Sequence, residues 1–325
     1  MSTVETVRGP VDVGALGTTL MHEHILIMDP EALQNWGHVF SAQSYWDEEE
    51  RVADAISRLN AIRAAGITTL VDPTAPGLGR NIHRIKRINE SVDLNIIVAT
   101  GIYAFIELPN FLGYRSPDAI AELFVRELRE GIDDTGVRAG FLKCAVERHG
   151  IIGDIPRILA AVAAAAVETG APVMVHTNAA AKTGLLALDA LTKAGVDPSQ
   201  IVIAHMGDSN DFDYLHAVAE QGAWLGLDRF GIEHFNPNAD RIATLLALLG
   251  EGHGGRVHLS HDAACFMDFM QGDPFFAGAQ DAADYLLVTR EIVPALLAGG
   301  ASEADIEQMM VDNPRRFFGG EGPAG

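Results

Sequence analysis

Short apolar segments alternate with amphipathic or alanine-rich stretches of helical length along most of the chain. The apolar segments are rich in valine, isoleucine and leucine, as is typical of buried parallel strands. Their alternation with helical stretches predicts repeated β-α units around one parallel sheet. The eight predicted strands are Thr19–Ile27, Thr68–Pro73, Asn95–Gly101, Ala139–Ala145, Pro172–Thr177, Ile201–Asp208, Trp224–Arg229 and Val257–Ala263.

Helix signals fall between these strands. The acidic run Asp47–Glu50 would complement the positive N-terminal end of a helix. Ser302 and Asp305 form a capping box for a last helix predicted to end before Asn313. No linker, repeat or low-complexity segment interrupts the alternation, and eight-stranded barrels commonly form one unit of about 250 residues or more. The chain is therefore expected to be α/β, a single-domain (β/α)8 TIM barrel spanning residues 1–325.

Composition and charge narrow the classes of partner. Hydrophobic residues make up 48% of the chain and charged residues 21%, as in ordinary globular proteins. The formal net charge of −21 would repel nucleic-acid phosphates and anionic lipid surfaces. We therefore expect neither nucleic acid nor a membrane as a partner, whereas neutral or cationic small molecules suit this charge.

Two further features predict a cytoplasmic protein. The N-terminal residues lack a basic segment followed by an apolar one, and the longest apolar run, Ile158–Val167, is too short to cross a bilayer. The chain has only two cysteines, Cys144 and Cys265, which suits a reducing compartment. Both are interpreted as small buried hydrophobic residues.

Side chains that bind divalent cations stand where the predicted strands end. In the segment MHEHI, the alternation of a strand projects both imidazoles to one face and the glutamate to the other. Single histidines also close strands five and six, and an aspartate closes strand eight. The other eight of the 12 histidines, His258 among them, are assigned to helical or loop contexts with surface or core roles. A closed barrel brings all strand ends to one rim. The predicted ligands of a binuclear metal site are His22, His24, Lys143, His176, His205 and Asp262.

Lys143, in the segment AGFLKCA, requires separate chemistry because a protonated ammonium cannot bind a cation. Burial readily makes a lysine neutral, and a neutral amine can react with carbon dioxide. The product, N6-carboxylysine, is an anionic carbamate able to bridge two metals, which is our hypothesis for Lys143. In the absence of the histidines, a salt bridge at the barrel mouth would be the preferred interpretation.

The ordered ligand set resembles that of the phosphotriesterase-like lactonases of the amidohydrolase superfamily. The resemblance extends from MHEHI to NPRRFF, almost the whole chain. It implies that His22, His24 and Asp262 hold a more buried divalent metal and that His176 and His205 hold a more exposed one. Carboxylated lysine and a hydroxide would bridge both ions. Zinc, cobalt, iron and manganese all suit such ligands.

The resemblance also implies roles for residues around the metals. Tyr103 in ATGIYAF matches a tyrosine over the exposed metal, and Arg229 in GLDRFG matches an arginine at the pocket wall. The bridging hydroxide would attack a carbonyl, Tyr103 would stabilise the charge on its oxygen, and Asp262 would move the proton to the departing alkoxide. Asp208 is interpreted either as an outward proton relay or as a cap of the following helix.

Substrate preference depends on the loops after strands seven and eight. The resemblance favours N-acyl homoserine lactones or other aliphatic lactones, with promiscuous hydrolysis of organophosphate triesters, and a homodimer. The alternatives are another ester hydrolase of the same superfamily and a noncatalytic metal- or ligand-binding barrel. The aromatic residues that offer either an acyl-chain channel or core and dimer contacts are Phe230, Phe235, Phe266, Phe269, Phe275 and Phe276.

Overall fold

An eight-stranded parallel sheet curls into a barrel at the centre of the molecule. The computed structural model describes residues 2–40, 46–268 and 284–324. The strands are β1 (Thr3–Thr6), β2 (Gly9–Asp12), β3 (Thr19–Leu20), β4 (His24–Ile27), β5 (Thr69–Asp72), β6 (Asn95–Gly101), β7 (Phe141–Val146), β8 (Val173–Thr177), β9 (Ile201–Ile203), β10 (Trp224–Leu227), β11 (Val257–Leu259) and β12 (Ala264–Met267). In the large sheet the order is β11-β10-β9-β8-β7-β6-β5-β3, and a β4–β12 parallel pair lies beside its two ends. The predicted (β/α)8 barrel is confirmed.

Helices follow the strands and pack on the outside of the barrel. Asp47 caps α2 by accepting a hydrogen bond from the backbone N–H of Glu50, as its acidic start predicted. The helices are α1 (Pro30–Phe40), α2 (Glu48–Ala64), α3 (Ile82–Asn89), α4 (Asn110–Gly113), α5 (Pro117–Arg129), α6 (Ile155–Thr169), α7 (Thr183–Lys193), α8 (Phe212–Glu220), α9 (Asn238–Gly250), α10 (Val293–Ala298), α11 (Glu303–Glu307) and α12 (Asn313–Phe318). Among the described residues, no helix has the length and apolarity needed to cross a membrane.

The last helical segment is longer than predicted. Ser302 and Asp305 do form the capping box at the start of α11. The helix does not end before Asn313, however, but passes through a π-helical turn into α12. Pro314 lies just after this π-helical turn, where the α-helical hydrogen-bond pattern that a proline interrupts is already altered.

Three predicted strands end two to five residues early in the structure, and the first predicted strand is split. Strands six, seven and eight end at Ile203, Leu227 and Leu259. His205 (φ 67°) and Asp262 (φ 55°) have left-handed backbone conformations, which a strand cannot contain. The first predicted strand divides into β3 and β4 for pairing with different neighbours. The strand pattern therefore located the ends of the barrel correctly but not the turns that carry two of the predicted ligands.

Alternate residues of the strands face the barrel interior. Apolar side chains from β5 to β10, together with residues of β1 and α12, form one buried cluster that fills the lower part of the barrel. In β7, Lys143 lies two residues beyond Phe141 of this cluster, and in β8 His176 lies two residues beyond Met174. Side chains two residues apart share a strand face. The polar residues consequently form the layer above the apolar interior, at the carboxyl ends of the strands.

Glu23 joins the two ends of the barrel sheet. Its side chain is fully buried. It accepts hydrogen bonds from the Ser260 hydroxyl and from the backbone N–H groups of His261 and Ala263. It also lies 2.5 Å from Nδ1 of His261. Glu23 thus points away from the two histidines beside it, as predicted. Because these partners flank Asp262, the same carboxylate positions that residue next to the first strand.

We predict that Glu23→Gln lowers the free energy of unfolding by roughly 3 kcal/mol, because the amide places a donor among four donors in a buried site. Thermal and urea denaturation of the two proteins measure the difference. Glu122→Gln, on the exposed face of α5, is the control and is expected to change stability by less than about 0.5 kcal/mol. Equal stability of the Glu23→Gln variant and the wild type would contradict this role for Glu23.

Candidate metal centre

The structure brings the predicted ligands together at the carboxyl end of the barrel. Asp262 Oδ1 lies 3.3 Å from Nε2 of His22 and 3.3 Å from Nε2 of His24. Nε2 of His205 lies 2.8 Å from Nδ1 of His176, and the rings of His22 and His205 are 4.9 Å apart. Together with the neighbouring lysine, the converging residues are His22, His24, Lys143, His176, His205 and Asp262.

Asp228 orients two of these histidines, although it was not among the predicted site residues. Its carboxylate oxygens lie 3.1 Å from Nδ1 of His22 and 2.8 Å from Nδ1 of His205, and it also accepts the backbone N–H of His205. A carboxylate on Nδ1 holds the proton there and leaves the Nε2 lone pair free to bind a cation. Strand alternation carried the signal, since Asp228 lies on the inward face with Trp224 and Gly226.

The other two histidines have outer partners of the same kind. Nε2 of His176 lies 3.1 Å from Glu147. Glu147 is four residues after Lys143, a spacing that places both on the same face of the chain. Nδ1 of His24 lies 2.7 Å from the hydroxyl of Thr74, which in turn donates to Asp72. All four imidazoles therefore have one nitrogen held from outside and the other directed towards a shared space, an arrangement typical of metal sites.

Burial keeps the imidazoles of His22, His176 and His205 neutral. Desolvation lowers the pKa of His22 to about 4, with the nearby Lys143 ammonium acting in the same direction. Burial also lowers the pKa of His176, and it lowers that of His205 well below the usual value. Neutral imidazole is the form that binds divalent cations, so near neutral pH these three side chains require no deprotonation to act as ligands.

Lys143 is buried with its amine unsatisfied. Its Nζ has no hydrogen-bond partner among the described residues, and desolvation lowers its pKa to about 8. The neighbouring strand β6 ends in Gly101 (φ 109°), where only glycine fits, because a Cβ there would lie 2.0 Å from the Lys143 carbonyl oxygen. Nε2 of His22 also lacks a hydrogen-bond partner within the described part of the chain. Unsatisfied nitrogen atoms directed into one space fit a group of divalent cations.

Arg229 connects the centre to the barrel wall. Its Nε donates to Asp262 Oδ2 at 2.8 Å and its NH1 donates to Asp208 Oδ2 at 2.9 Å. The fully buried Arg241 forms an ion pair of 2.7 Å with the other oxygen of Asp208. Burial disfavours ionisation of Asp262, but His22 and Arg229 outweigh it and hold its pKa well below the usual value.

Asp208 does not cap the following helix. That position belongs to Asp211, whose side chain accepts the backbone N–H of Tyr214 at the start of α8. Asp208 instead ends a short 3-10 turn and lies between two guanidinium groups. Of the two interpretations drawn from the sequence, the helix cap is therefore wrong.

Tyr103 lies beside His176, on the side of the centre that contains His176 and His205. Its hydroxyl donates to Glu147 at 2.8 Å and is 3.3 Å from Nε2 of His176. Burial and the Glu147 carboxylate raise its pKa well above 10, so the phenol remains protonated and able to donate. The same contacts lower the pKa of Glu147 to about 2, chiefly through its hydrogen bond with His176.

The predicted aromatic channel is only partly present among the described residues. Phe230 and Phe266 are buried in the core, as the alternative interpretation proposed. Phe235 is 48% exposed, and the Arg229 guanidinium lies 4.7 Å from its ring centroid. The remaining three, Phe269, Phe275 and Phe276, lie outside the described residues.

Two smaller predictions concern residues near the centre. Cys144 is buried on the opposite face from Lys143, and burial raises its thiol pKa to about 12, as it does for Cys265. Neither thiol is therefore ionised near neutral pH. His258 was assigned to a helix or loop, but it lies in β11, where its ring stacks on Trp224 with 4.9 Å between centroids.

Comparison with known proteins gives a consistent result. A family model described as "Phosphotriesterase family" matches residues 2–318. The chain is 40% identical to the phosphotriesterase homology protein of Mycobacterium tuberculosis over 99% of each chain. It is 34% identical to the aryldialkylphosphatase of Saccharolobus solfataricus over 93% of this chain and 95% of that protein. A structure described as the phosphotriesterase from Mycobacterium tuberculosis superposes with a TM-score of 0.93 at 40% identity, covering 99% of this chain and 100% of that one.

We predict that Asp228→Asn weakens zinc binding by 10- to 100-fold, because two imidazoles lose the carboxylate that orients them. Competition with a chelator of known zinc affinity measures the change. Asp189→Asn, on the exposed side of α7, is the matched control and should bind zinc like the wild type. Unchanged affinity in a folded Asp228→Asn protein would show that the carboxylate has no such role.

The buried amine of Lys143 predicts a pH-dependent stability in metal-free protein kept free of carbon dioxide. Its pKa is about 8 in the folded state and 10.5 ordinarily, so the unfolded chain binds the proton more tightly. The resulting destabilisation, about 3 kcal/mol, is complete below pH 8 and disappears as the pH rises towards 10.5. Lys143→Met should therefore exceed the wild type in urea stability at pH 7, with a difference that shrinks by pH 10. Lys193→Met, at a largely exposed position, should show no such trend; a difference for Lys143→Met that does not depend on pH would rule out the buried ammonium as its cause.

Proposed function

Because the chain belongs to the phosphotriesterase family, we propose that this metal-dependent hydrolase opens lactone rings. N-acyl homoserine lactones or other aliphatic lactones are the proposed substrates, with slow hydrolysis of organophosphate triesters as a secondary activity. The observation that carries the proposal is the set of four imidazoles held from outside by Asp228, Glu147 and Thr74. The inner nitrogens of His22 and His24 lie 3.3 Å from Asp262 Oδ1, and those of His176 and His205 lie 2.8 Å from each other.

Two divalent cations fit this arrangement. His22, His24 and Asp262 would hold one cation, and His176 and His205 the other. Such a pair supplies a hydroxide nucleophile near neutral pH and polarises the carbonyl or phosphoryl oxygen of the substrate. We assign the bridging position to Lys143 as N6-carboxylysine, whose carbamate would replace a buried, partnerless ammonium with two anionic oxygen ligands. A crystal structure of the metal-loaded protein with an unmodified amine would remove that assignment.

Asp262 is proposed to accept the proton of the nucleophile and deliver it to the departing alkoxide. Arg229 supports this by holding Oδ2, which leaves Oδ1 directed towards the histidines. We assign Asp208 to positioning Arg229 instead of relaying protons outward. The reason is that the two carboxylates outweigh burial and raise the pKa of the guanidinium, so it stays protonated and cannot pass a proton along.

Tyr103 is proposed to stabilise the negative charge that develops on the substrate oxygen. A phenol that stays protonated beside His176 is a suitable donor for an oxyanion. To act, the hydroxyl would exchange its present acceptor, Glu147, for the substrate oxygen. Exposed Phe235, packed on Arg229, offers apolar surface for an aliphatic tail next to the same residues.

Triester hydrolysis as the main activity is the second candidate. One relative of this chain is an aryldialkylphosphatase, which favours this candidate. The same side chains suit both reactions, since tetrahedral phosphorus resembles the tetrahedral intermediate of ring opening. A noncatalytic metal-binding barrel is disfavoured because it would have no need for a phenol and an aspartate beside the free nitrogens.

A substrate panel distinguishes these activities. On enzyme of measured metal content, we expect kcat/KM for at least one aliphatic lactone to exceed that for an activated triester, a diester and a simple ester. The reason is that Tyr103 can donate to the carbonyl oxygen while Phe235 offers apolar surface to an aliphatic tail. If the triester exceeds every lactone, the lactonase proposal is wrong and the second candidate is favoured.

We predict that Asp262→Asn lowers kcat by at least about 100-fold even when its metal content equals that of the wild type, because an amide cannot accept the proton. Elemental analysis of the assayed sample provides the required metal content. Asp213→Asn, exposed on α8, is the control and should keep full turnover. Full activity in a metal-replete Asp262→Asn enzyme would refute the proton-transfer role.

A further inference from the structure

A second group of metal-binding side chains lies at the opposite end of the barrel. His216 is in α8, Glu251 caps the end of α9, and His253 begins the 3-10 turn that leads into β11. His216 lies in the middle of α8, whereas Glu251 and His253 follow α9 directly before β11, so its contact with them places the group near the amino end of that strand. In such barrels catalytic residues lie at the carboxyl ends, and the amino ends contribute to stability.

The three side chains present a mixed nitrogen and oxygen ligand set. Nε2 of His216 lies 2.7 Å from Oε2 of Glu251, and the rings of His216 and His253 are 5.2 Å apart. One ligand atom from each residue lies within 4.8 Å of the others. Ligand atoms around one zinc ion are roughly 3–4 Å apart, given metal–ligand distances of about 2.1 Å. Small rotations of these partly exposed side chains would bring the three atoms into one coordination sphere.

The surroundings favour a cation at this position. The carboxyl ends of α8 and α9 carry the partial negative charge of the helix dipole. Glu251 and Glu220 add negative charge near His253, opposed by the Arg256 guanidinium.

From this geometry we infer that His216, Glu251 and His253 form a binding site for a single divalent transition-metal ion, separate from the candidate metal centre. Two imidazoles and a carboxylate suit zinc, nickel or copper, with water completing the coordination sphere. The bound ion would connect α8 to the turn after α9 and so stabilise the folded chain by binding it preferentially. The inference does not depend on the proposed lactonase activity.

A second surface cluster provides the comparison. His83 lies 3.1 Å from both Asp133 and Asp134, but it offers one imidazole, and all three side chains are largely exposed. Exposed carboxylates are strongly hydrated and compete poorly for transition metals against paired imidazoles. His83→Ala therefore removes a surface histidine next to acidic groups without touching the inferred site, which makes it a matched control.

The test counts metal ions on the intact chain. Wild type, the double variant H216A/H253A and H83A are each dialysed against the same zinc buffer, and zinc per chain is measured by mass spectrometry. We expect the double variant to hold one zinc ion fewer than the wild type and H83A to hold the same number. Zinc should also raise the melting temperature of the double variant less than that of the wild type. Equal zinc content in all three proteins would overturn the inference.

A conservative variant separates metal binding from folding. Glu251→Gln keeps the size of the side chain and is expected to weaken the last zinc ion bound by at least tenfold, with unchanged circular dichroism. With Cu²⁺ as the probe, electron paramagnetic resonance should lose the nitrogen couplings of this site in H216A/H253A and keep them in H83A. Identical copper spectra for the two variants would contradict the site. Because the readout is a difference between variants, it is independent of whether the candidate metal centre catalyses lactone opening.

Discussion

The buried carboxylate of Glu23 is the interaction on which the rest of the structure depends. A parallel barrel must join its first and last strands, and in this chain these strands are more than 230 residues apart in sequence. Glu23 makes the connection by accepting hydrogen bonds from the segment on both sides of Asp262. This contact places Asp262 beside His22 and His24, so closing the barrel and assembling the candidate metal centre are one event.

Above the apolar interior, the centre is organised by groups that do not themselves face its middle. Asp228, Glu147 and Thr74 hold the outer nitrogens of four imidazoles. Burial then keeps the imidazoles of His22, His176 and His205 neutral, and the amine of Lys143 has no hydrogen-bond partner among the described residues. Such a cluster destabilises the metal-free folded protein, because buried polar atoms without hydrogen-bond partners cost free energy. Cation binding would relieve this unfavourable desolvation, which couples stability to metal loading.

A chain of buried charges extends from the centre into the loop after β10. Asp262, Arg229, Asp208 and Arg241 alternate in sign, and Arg241 also donates to backbone carbonyls of that loop. The loop carries Phe235, an exposed aromatic residue whose ring packs on Arg229. The positions of Asp262 and of this loop are thereby linked through one set of ion pairs.

Much of this protein follows from the sequence alone. The alternation of apolar segments determined the barrel, and the residues at strand ends determined six of the converging side chains, because strand periodicity and parallel pairing are local properties with a predictable geometric result. The same periodicity carried an unused signal for Asp228 and Glu147, which lie two or four positions from inward-facing residues.

Only the tertiary structure decided the remaining features. The left-handed turns at His205 and Asp262 interrupt strands that the apolar pattern predicted to continue. The hydrogen bonds of Glu23 and the pairing of Asp208 with two arginines join segments that are distant in sequence. A single sequence does not state which outer group meets which imidazole, because that depends on the register and twist of neighbouring strands. The ion pairs and hydrogen bonds around the candidate metal centre therefore depend on closure of the barrel. The chemical identity of the candidate ligands, in contrast, follows from the order of the residues.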